Sequence, residues 1–329
     1  MDKLEYERLD VLQKNILSKL AGWKGISEIK DVFLTFYLLC YLSTDRHSFE
    51  VPGDCNVERI LGGGEKGINQ RLMGALEKIE KNNPKALLGL GDFVNFTSPS
   101  WGTDSEWDGI VYRSLESLNS LELFSDREKI SRLFESVLLY IAEHNVRAAG
   151  EYSSPVDVGR LLVGVLEPRV GESIYDPVCG SGSFLSSSAS YVEASSGRGG
   201  LSRIAGQENN FNTWVMAKIN MIIHGYESAE ISHGDTLGDP ANKTGNGEYE
   251  KFDVVMANPP FSLKSWRKSE NDLCLDSRFK FGIPPASNGD YAFILHVVAS
   301  LKETGRAGVV VPTGALFRGG VKKKFVKNL

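Results

Sequence analysis

The sequence predicts an α/β protein in which a parallel sheet, covered by helices on both faces, follows a mostly helical N-terminal domain. After about residue 150, short apolar runs alternate with segments of helical spacing, which is typical of strands joined by crossover helices. Before that point the apolar residues recur mainly at helical spacing. The length of 329 residues suits two domains. We therefore expect domains at residues 1–147 and 148–329.

Two amphipathic stripes mark helices in the N-terminal domain. Apolar residues between Leu9 and Leu20, and again between Ile130 and Ile141, are spaced by three or four positions. Ser125 is followed three residues later by Glu128, which is the pattern of a capping box. This pattern predicts that the second helix begins at Ser125.

Five short apolar segments after residue 150 are predicted as strands. We expect them at residues 173–175, 203–206, 230–232, 252–257 and 307–311, with helices at 184–194, 211–223 and 291–301. Ligands bind such sheets at the carboxyl ends of the strands. Polar or glycine-rich clusters follow three of these strands, at residues 176–183, 234–235 and 258–261.

The composition excludes several classes of protein. Hydrophobic residues make up 41% and charged residues 24% of the chain, which argues against disorder in the bulk of it. The longest apolar run, Val32–Leu42, is shorter than the roughly 20 residues that span a bilayer. The N-terminus is charged and lacks the apolar stretch of a secretion signal. We therefore expect a cytoplasmic protein without membrane association.

Cysteine and histidine spacing predicts no metal site. The four cysteines are scattered and form no C-x-x-C pair, which excludes a disulfide framework and a cysteine zinc cluster. The five histidines also lack metal-ligand spacing, and His296 lies in an apolar helical segment where we expect a buried core residue.

Charge is distributed unevenly along the chain. The net charge is −5, and all of it lies in residues 1–150. Residues 262–329 hold 12 Lys and Arg against 5 Asp and Glu, a local net of +7. Such a segment can attract a phosphate backbone or can simply form a solvated surface, and charge by itself leaves both open.

The first polar cluster, Asp176–Leu185, combines a glycine turn with the start of a helix. Glycine allows close approach of a ligand to the backbone, and helix-start N–H groups favour a negative group. A dinucleotide or S-adenosylmethionine would suit this turn, and a purely structural turn is the alternative. Leu185 stands where the dinucleotide fingerprint requires a third glycine. Asp176 is a poor neighbour for a pyrophosphate but a good acceptor for an ammonium group.

Two further carboxylates follow the next strands. Glu208, after Gly206-Gln207, can accept both hydroxyls of a ribose, and Asp235 can accept from an adenine amino group. Each signal is weak alone, because an acidic residue at a strand end is common and Asp235 can equally cap the following turn.

The fourth cluster, Asn258-Pro259-Pro260-Phe261, carries the most specific chemistry. The prolines end the strand and fix the backbone, because each has a locked φ and no N–H. The side-chain carbonyl of Asn258 and the backbone carbonyl of Pro259 can accept both hydrogens of one amino group. This would localise the nitrogen lone pair for attack on an electrophilic methyl group. Phe261 offers a flat face for a base drawn out of its duplex. An ordinary Asn-Pro turn is the alternative.

Together these clusters resemble the amino-group DNA methyltransferases, and most closely the methylation subunit of type I restriction–modification systems. The resemblance also includes Asp290-Tyr291-Ala292-Phe293, residues 305–312 (GRAGVVVP) and residues 316–320 (LFRGG). It implies a Rossmann-like S-adenosylmethionine-dependent methyltransferase domain and methylation of adenine N6 in double-stranded DNA. It further implies a specificity subunit, a second copy of the methylation subunit and, in some assemblies, a restriction (nuclease) subunit as partners. Our hypothesis is that the N-terminal helices form a docking surface for the specificity subunit or for DNA. No metal is expected for the transfer.

The resemblance assigns roles to individual residues. The methionine part of the cofactor would be held by Asp176, Gly180, Ser181, Gly182 and Ser183, the ribose by Glu208, and the adenine ring by Asp235. Asn258, Pro259, Pro260 and Phe261 would form the catalytic motif. The segment before the first strand, which touches the cofactor in this family, consists here of Glu151, Tyr152, Ser153, Ser154, Pro155 and Val156. Its tyrosine is displaced by one position, and serine replaces the family's threonine.

Two other functions share parts of this pattern. Glutamine methyltransferases act on a protein carboxamide with the same Asn-Pro-Pro logic but usually end the motif in Tyr, so Phe261 and the positive segment favour DNA. A cofactor-binding scaffold without activity is the other alternative. Family members also continue past the fifth strand with a β-hairpin and helices, whereas this sequence ends at Leu329. The comparison predicts a C-terminally shortened catalytic domain.

Overall fold

The computed structural model describes residues 3–144, 156–196, 200–266 and 276–317. These residues fall into two compact units. The first contains residues 3–144 and Lys218–Ser228, and the second contains the described residues of 156–217 and 229–317.

Residues 3–144 form a helical unit. Its α-helices are α1 (Lys3–Lys24), α2 (Ile26–Leu42), α3 (Val57–Gly62), α4 (Ile68–Asn82), α5 (Leu90–Phe93), α6 (Asp104–Asn119) and α7 (Arg127–His144). Short 3-10 turns lie at Gly53–Cys55, Pro99–Trp101 and Glu122–Ser125.

Helix α2 forms the core of this unit. Of its 17 residues, 14 are buried, as expected for a helix that is apolar on all sides. The ring of Tyr37 lies 5.0 Å from the rings of Phe124 and Phe134, and its hydroxyl donates to the Ile130 carbonyl at 3.1 Å. The apolar run Val32–Leu42 is therefore explained by a protein core. In the part of the chain described, no helix has the length and apolar character needed to cross a membrane.

The start of α7 differs from the capping-box prediction. The Asp126 side chain accepts a hydrogen bond from the Lys129 backbone N–H at 2.9 Å, so Asp126 is the N-cap. Ser125 belongs to the preceding 3-10 turn. The prediction was wrong by one residue, because aspartate caps as well as serine does and the turn geometry selects between them.

The second unit contains a five-stranded sheet, and the predicted fold class is confirmed. The strands are β1 (Ser173–Asp176), β2 (Arg203–Glu208), β3 (Glu230–His233), β4 (Phe252–Ala257) and β5 (Leu301–Val309). The helices of this half of the chain are α8 (Val156–Leu166), α9 (Ser183–Ser196), α10 (Phe211–Ile223), α11 (Asp290–Ala299) and α12 (Thr313–Phe317), with a 3-10 turn at Ser277–Phe279. Helix α10 belongs to the second unit up to residue 217 and to the first unit from Lys218. The strand order is β3-β2-β1-β4-β5, and all neighbouring pairs are parallel.

Helices cover both faces of this sheet. Tyr175, Val255 and Ala257 form a buried cluster with Val297 of α11. Because side chains alternate along a strand, Met256 points to the opposite face, where its sulfur lies 3.6 Å from the Ser188 hydroxyl of α9.

The last strand begins earlier than predicted. We expected residues 307–311 as the strand and a helix to Leu301, whereas α11 ends at Ala299 and β5 runs from Leu301 to Val309. Phe252 pairs with Leu301, but Val254 already pairs with Arg306, so residues 302–305 form an irregularity in the strand. Residues 302–305 are polar or glycine, so a prediction based on runs of apolar residues does not detect the first part of this strand.

Candidate functional site

The strand order brings the two main predicted motifs to neighbouring strands. β1 and β4 are adjacent, with Tyr175 opposite Val255, so the loops that follow Asp176 and Ala257 leave the sheet at the same edge. β2 lies on one side of this pair and β5 on the other. Ligands bind doubly wound sheets at such a switch point, outside the carboxyl ends of the strands.

The cluster after β1 is a tight turn that enters a helix. Gly180 has φ +54° and Gly182 φ +80°, in the left-handed region where glycine is favoured. The Gly182 N–H donates to the Cys179 carbonyl at 2.8 Å, and the Ser186 N–H donates to the Gly182 carbonyl at 3.0 Å. The hydroxyls of Ser181 and Ser183 lie 2.9 Å apart at the start of α9.

Asp176 is a buried carboxylate at the end of β1. Only 2% of it is exposed, and its Oδ1 accepts from the Val178 N–H at 3.0 Å. Burial raises the pKa of the Asp176 carboxyl to about 8, the Val178 hydrogen bond partly opposes this, and the charge of Glu208 adds to it. Within the described residues neither carboxylate belongs to an ion pair. A ligand that carries an ammonium group would supply the missing positive charge.

Glu208 links the first two clusters. Its Oε2 accepts from the Gly180 N–H at 3.0 Å, and its Oε1 accepts from the Asn210 N–H at 2.7 Å. Burial raises the pKa of the Glu208 carboxyl, while these backbone hydrogen bonds oppose the rise. Each carboxylate oxygen can accept a second hydrogen bond, so the group retains the capacity to bind two hydroxyls.

Asp235 follows a glycine with φ +147° at the end of β3. Its Oδ1 accepts from the Leu237 N–H at 3.0 Å, so it caps the following turn, which is the alternative that the sequence left open. The side chain is exposed. Its assignment to the adenine ring therefore stays a prediction.

Hydrogen bonds join these three clusters to one another. The Gly234 N–H donates to the Glu208 carbonyl at 2.9 Å, and the Thr236 hydroxyl donates to the Pro177 carbonyl. The buried Gln207 side chain donates to the Asp239 carbonyl at 2.9 Å. The loops after β1, β2 and β3 thus form one connected rim.

The motif after β4 has a mixed environment. Asn258 is half-buried with its Oδ1 atom buried, Pro259 is buried and Pro260 is exposed. Phe261 is 53% exposed, which leaves part of its ring accessible. The chain then enters the left-handed region at Ser262, with φ +57°.

The segment before β1 is only partly described. Glu151, Tyr152, Ser153, Ser154 and Pro155 lie outside the described residues, and Val156 is the first residue of α8.

Most cationic residues in the described part of the positive C-terminal segment, residues 262–266 and 276–317, are neutralised by a neighbouring carboxylate. Of its five cationic residues that the structure describes, three form ion pairs: Arg278 with Asp276, Lys302 with Asp253 and Arg306 with Glu172. Arg278 is only 3% exposed, so it cannot contribute an open binding surface. In residues 3–144, 156–196, 200–266 and 276–317, no group of three potential metal-ligating side chains occurs.

Arg278 and its partners near the predicted cofactor rim were not predicted from the sequence. By composition Arg278 is one of twelve cationic residues in the C-terminal segment, whereas in the structure its guanidinium contacts the turn after Asp235. The available sequence signal was Asp276 two residues before Arg278, with Phe279 directly after the arginine. The prediction that His296 is a buried core residue is confirmed, because it is only 1% exposed.

Comparisons with known proteins point to one family. Residues 125–329 match the family described as N-6 DNA Methylase. The chain is 32% identical over 269 residues to the type I restriction enzyme MjaVIII methylase subunit of Methanocaldococcus jannaschii, which covers 77% of this chain and 45% of that protein. The chain spans about half or less of the length of such curated relatives.

Solved structures show the same fold. The crystal structure of a type I restriction-modification system methyltransferase subunit from Streptococcus thermophilus superposes with a TM-score of 0.86 at 22% identity, over 98% of this chain and 78% of that one. A putative class I S-adenosylmethionine-dependent methyltransferase from Listeria monocytogenes gives a TM-score of 0.50 at 18% identity, over 79% of this chain and 77% of that one.

Proposed function

Because the chain belongs to the N-6 DNA Methylase family, as its motifs predicted, we propose that it transfers a methyl group from S-adenosylmethionine to adenine N6 in DNA. The observation that carries this proposal is the meeting of the glycine turn after β1 and the Asn258 motif after β4 on neighbouring strands. A methyl donor at the first and an amine at the second would be adjacent.

The cofactor side of the site fits S-adenosylmethionine by its donors and acceptors. The buried carboxylate of Asp176, which forms no ion pair with the described residues, suits the ammonium group. The remaining acceptor capacity of Glu208 suits the ribose hydroxyls. Gly180–Ser183 would cover the methionine part and Asp235 the adenine ring. The bound cofactor would supply an electrophilic methyl group on a sulfonium centre.

The target side would activate the adenine amino group. The Asn258 side-chain carbonyl and the Pro259 backbone carbonyl would accept its two hydrogens. This withdraws the nitrogen lone pair from the ring and directs it outward. Pro259 and Pro260 hold the carbonyls in place because their φ angles are fixed. A general base is not needed before the methyl group arrives, since the amine is neutral. As the bond from N6 to the methyl carbon formed, the bond from that carbon to sulfur would break and a neutral thioether would leave. The positively charged N6 would then lose one proton to solvent.

The exposed ring of Phe261 fits a flipped base. Stacking on an aromatic face contributes roughly 1–3 kcal/mol per base and tolerates any purine. Taking the adenine out of its duplex is required because the amino group is otherwise paired.

The proposed assembly follows the type I pattern, in the cytoplasm. A specificity subunit would select the DNA sequence, a second methylation subunit would act on the other strand, and a nuclease subunit would join in restriction. The helical unit is the proposed docking surface for these partners or for DNA.

Methyl transfer from labelled cofactor to duplex DNA, with the cognate specificity subunit present, tests this function. We expect label in adenine N6, and Asn258→Ala should reduce the rate by about 100-fold or more, the effect of removing one oriented polar group from an active site. Cofactor affinity should stay within twofold. Asn246→Ala, at an exposed turn position, is the matched control and should change neither.

Other outcomes would overturn the proposal. Label in a protein instead of DNA would indicate a glutamine methyltransferase. Cofactor binding without transfer to any acceptor would indicate a scaffold subunit.

A further inference from the structure

Arg278 is a buried cation that holds the turn after β3. Its Nη1 donates to the Thr236 carbonyl and its Nη2 to the Leu237 carbonyl, each at 2.9 Å. These two carbonyls directly follow Asp235. A guanidinium presents donors in a fixed fork, so it fixes both peptide groups at once.

The position of Arg278 is itself tightly determined. Its Nη2 lies 2.6 Å from Asp276 Oδ2, and its Nε also donates to the same carboxylate. The Tyr249 hydroxyl donates to Asp276 at 3.0 Å, and the guanidinium carbon lies 5.1 Å from the Tyr249 ring centre and 5.2 Å from that of Phe279. Buried ion pairs contribute little net stability because both charges lose their hydration. The pair of Arg278 and Asp276 is therefore better explained by the geometry that it imposes on the turn after Asp235.

A neutral histidine connects this cluster to β1. His296 Nδ1 lies 3.4 Å from Arg278 Nη1, and its Nε2 lies 3.1 Å from the Tyr175 hydroxyl. Burial and the charge of Arg278 lower the pKa of His296 to about 3, so the ring is neutral and can accept from the guanidinium. Tyr175 immediately precedes Asp176, so the hydrogen bonds from Arg278 through His296 to Tyr175 extend to the first cofactor cluster.

The turn transmits the position of Arg278 to the proposed cofactor contacts. The Leu237 N–H fixes Asp235 Oδ1 at 3.0 Å, and the Thr236 hydroxyl donates to the Pro177 carbonyl in the loop after Asp176. Rotation of the Thr236 and Leu237 peptide groups would therefore move the Asp235 carboxylate and loosen the adjacent rim.

Asp290 has a corresponding role on the target side. It is 2% exposed, and its Oδ1 accepts from the Ser262 N–H at 2.6 Å, directly after Phe261. Ser262 adopts a φ of +57°, which is unfavourable for a residue with a side chain and persists only when its surroundings impose it. The Gly289 N–H also donates to the Leu263 carbonyl at 2.8 Å, so the start of α11 fixes the exit of the Asn258 motif.

We propose that residues 276–290 carry two positioning residues: Arg278 orients the Asp235 turn for cofactor binding, and Asp290 orients the Asn258–Phe261 motif for the target base. The proposal rests on the proposed function. It predicts that the two residues affect different steps, although both are buried in the same unit.

The test compares Arg278→Lys with Asp290→Ala by two measurements on the intact protein. Equilibrium binding of S-adenosylmethionine gives the cofactor Kd, and single-turnover methylation of specific DNA at saturating cofactor gives the transfer rate. Arg278→Lys keeps the charge but loses the fork, so Kd should rise about tenfold while the transfer rate changes less than threefold. Asp290→Ala should leave Kd within twofold and lower the transfer rate about tenfold. Asp290→Asn should restore most of the rate, because Oδ1 can still accept.

A cofactor analogue tests whether Arg278 acts through Asp235. The probe is S-inosylhomocysteine, in which an oxo group replaces the adenine amino group, compared with S-adenosylhomocysteine. The Arg278→Lys penalty should largely disappear with the inosyl analogue, and it should not add to that of Asp235→Ala. An equal penalty with both probes, or full additivity, would overturn the assignment.

A milder variant keeps the test informative if Arg278→Lys does not fold. Tyr249→Phe removes one hydrogen bond to Asp276 and should raise Kd two- to threefold without changing the transfer rate. If all variants raised Kd and lowered the transfer rate together, in proportion to their loss of thermal stability, the positioning roles would be refuted. The binding measurements need no DNA, so absence of methylation by the unsubstituted protein would refute the proposed function without affecting them.

Discussion

The cofactor side and the target side of the candidate site are constructed differently. Loops after β1, β2 and β3 are joined by hydrogen bonds to one another, through Gly180, Glu208 and Gly234. The motif after β4 is fixed behind Phe261, where Asp290 holds Ser262, while more than half of the Phe261 surface stays exposed. The difference suits a pocket prepared for one flexible cofactor beside an open face that a base must enter, since preorganisation reduces the cost of ordering a ligand.

The strongest test of the cofactor side is Asp176→Asn. Loss of a charged partner for the ammonium group should raise the Kd for S-adenosylmethionine about 100-fold, near the upper end for one charge-assisted hydrogen bond. Isothermal titration measures this change. Glu193→Gln, in the last turn of α9, is the control and should bind normally. Normal binding by Asp176→Asn would contradict the role assigned to this carboxylate.

The same substitution should stabilise the cofactor-free protein in a pH-dependent manner. Burial raises the pKa of Asp176 to about 8, above its unfolded value of about 3.9, so native stability is lost as pH rises between these values. Asp176→Asn should therefore have the higher Tm at pH 8, by the equivalent of about 1–2 kcal/mol, and lose this advantage near pH 4. Thermal unfolding at both pH values measures the difference. A constant difference would show that the charge is not its source.

Phe261→Ala addresses the target side. Loss of the stacking face should lower the single-turnover methylation rate about tenfold at subsaturating DNA, from roughly 1–3 kcal/mol of lost stacking. Cofactor Kd should not change. Phe261→Tyr keeps the ring and should retain most activity. If Phe261→Ala changed the cofactor Kd as much as the methylation rate, the cofactor side and the target side would not be functionally separate.

Gly182→Ala tests the backbone of the glycine turn. A φ of +80° is unfavourable for alanine, so we expect a loss of about 1–2 kcal/mol in unfolding free energy together with weaker cofactor binding. Gly164→Ala in α8 is a suitable control, because its Cβ would meet open space and helical glycine is itself unfavourable. The control should be as stable as the original protein or slightly more stable.

The smallest effect is expected from Arg306→Lys, away from both sides. Arg306 makes a bidentate pair with Glu172, with both N–O distances at 2.8 Å, near the amino end of β1. The hydrogen bond from Arg306 is the main cause that lowers the pKa of Glu172, so this stabilisation is present above the unfolded pKa of about 4 and is lost as pH falls. We expect at most about 1 kcal/mol of lost stability at pH 7, less in high salt, and unchanged cofactor binding. A change in cofactor Kd in Arg306→Lys would show that residues outside the rim also contribute to cofactor binding.

Most of the sheet could be predicted from the sequence, whereas its last strand could not. β1 to β4 are short apolar runs, and their predicted and observed bounds agree within two residues. β5 contains the polar residues 302–305 inside a strand whose pairing with β4 resumes at Arg306. Local hydrophobicity does not report pairing between distant segments, so only the folded sheet reveals this strand.

The sequence by itself determined the order and chemistry of the motifs: a glycine turn led by Asp176, carboxylates after the next two strands, and an Asn-Pro-Pro-Phe corner. These are local features, because turn geometry and side-chain chemistry depend on adjacent residues. The tertiary structure decided that Asp235 caps a turn, that Arg278 is buried behind that turn, and that Asp290 holds Ser262. The contacts of Arg278 and Asp290 join segments that are distant in sequence, and the cap formed by Asp235 is one of several local arrangements open to that side chain. The energies of such polar contacts depend on burial, which a linear sequence does not specify.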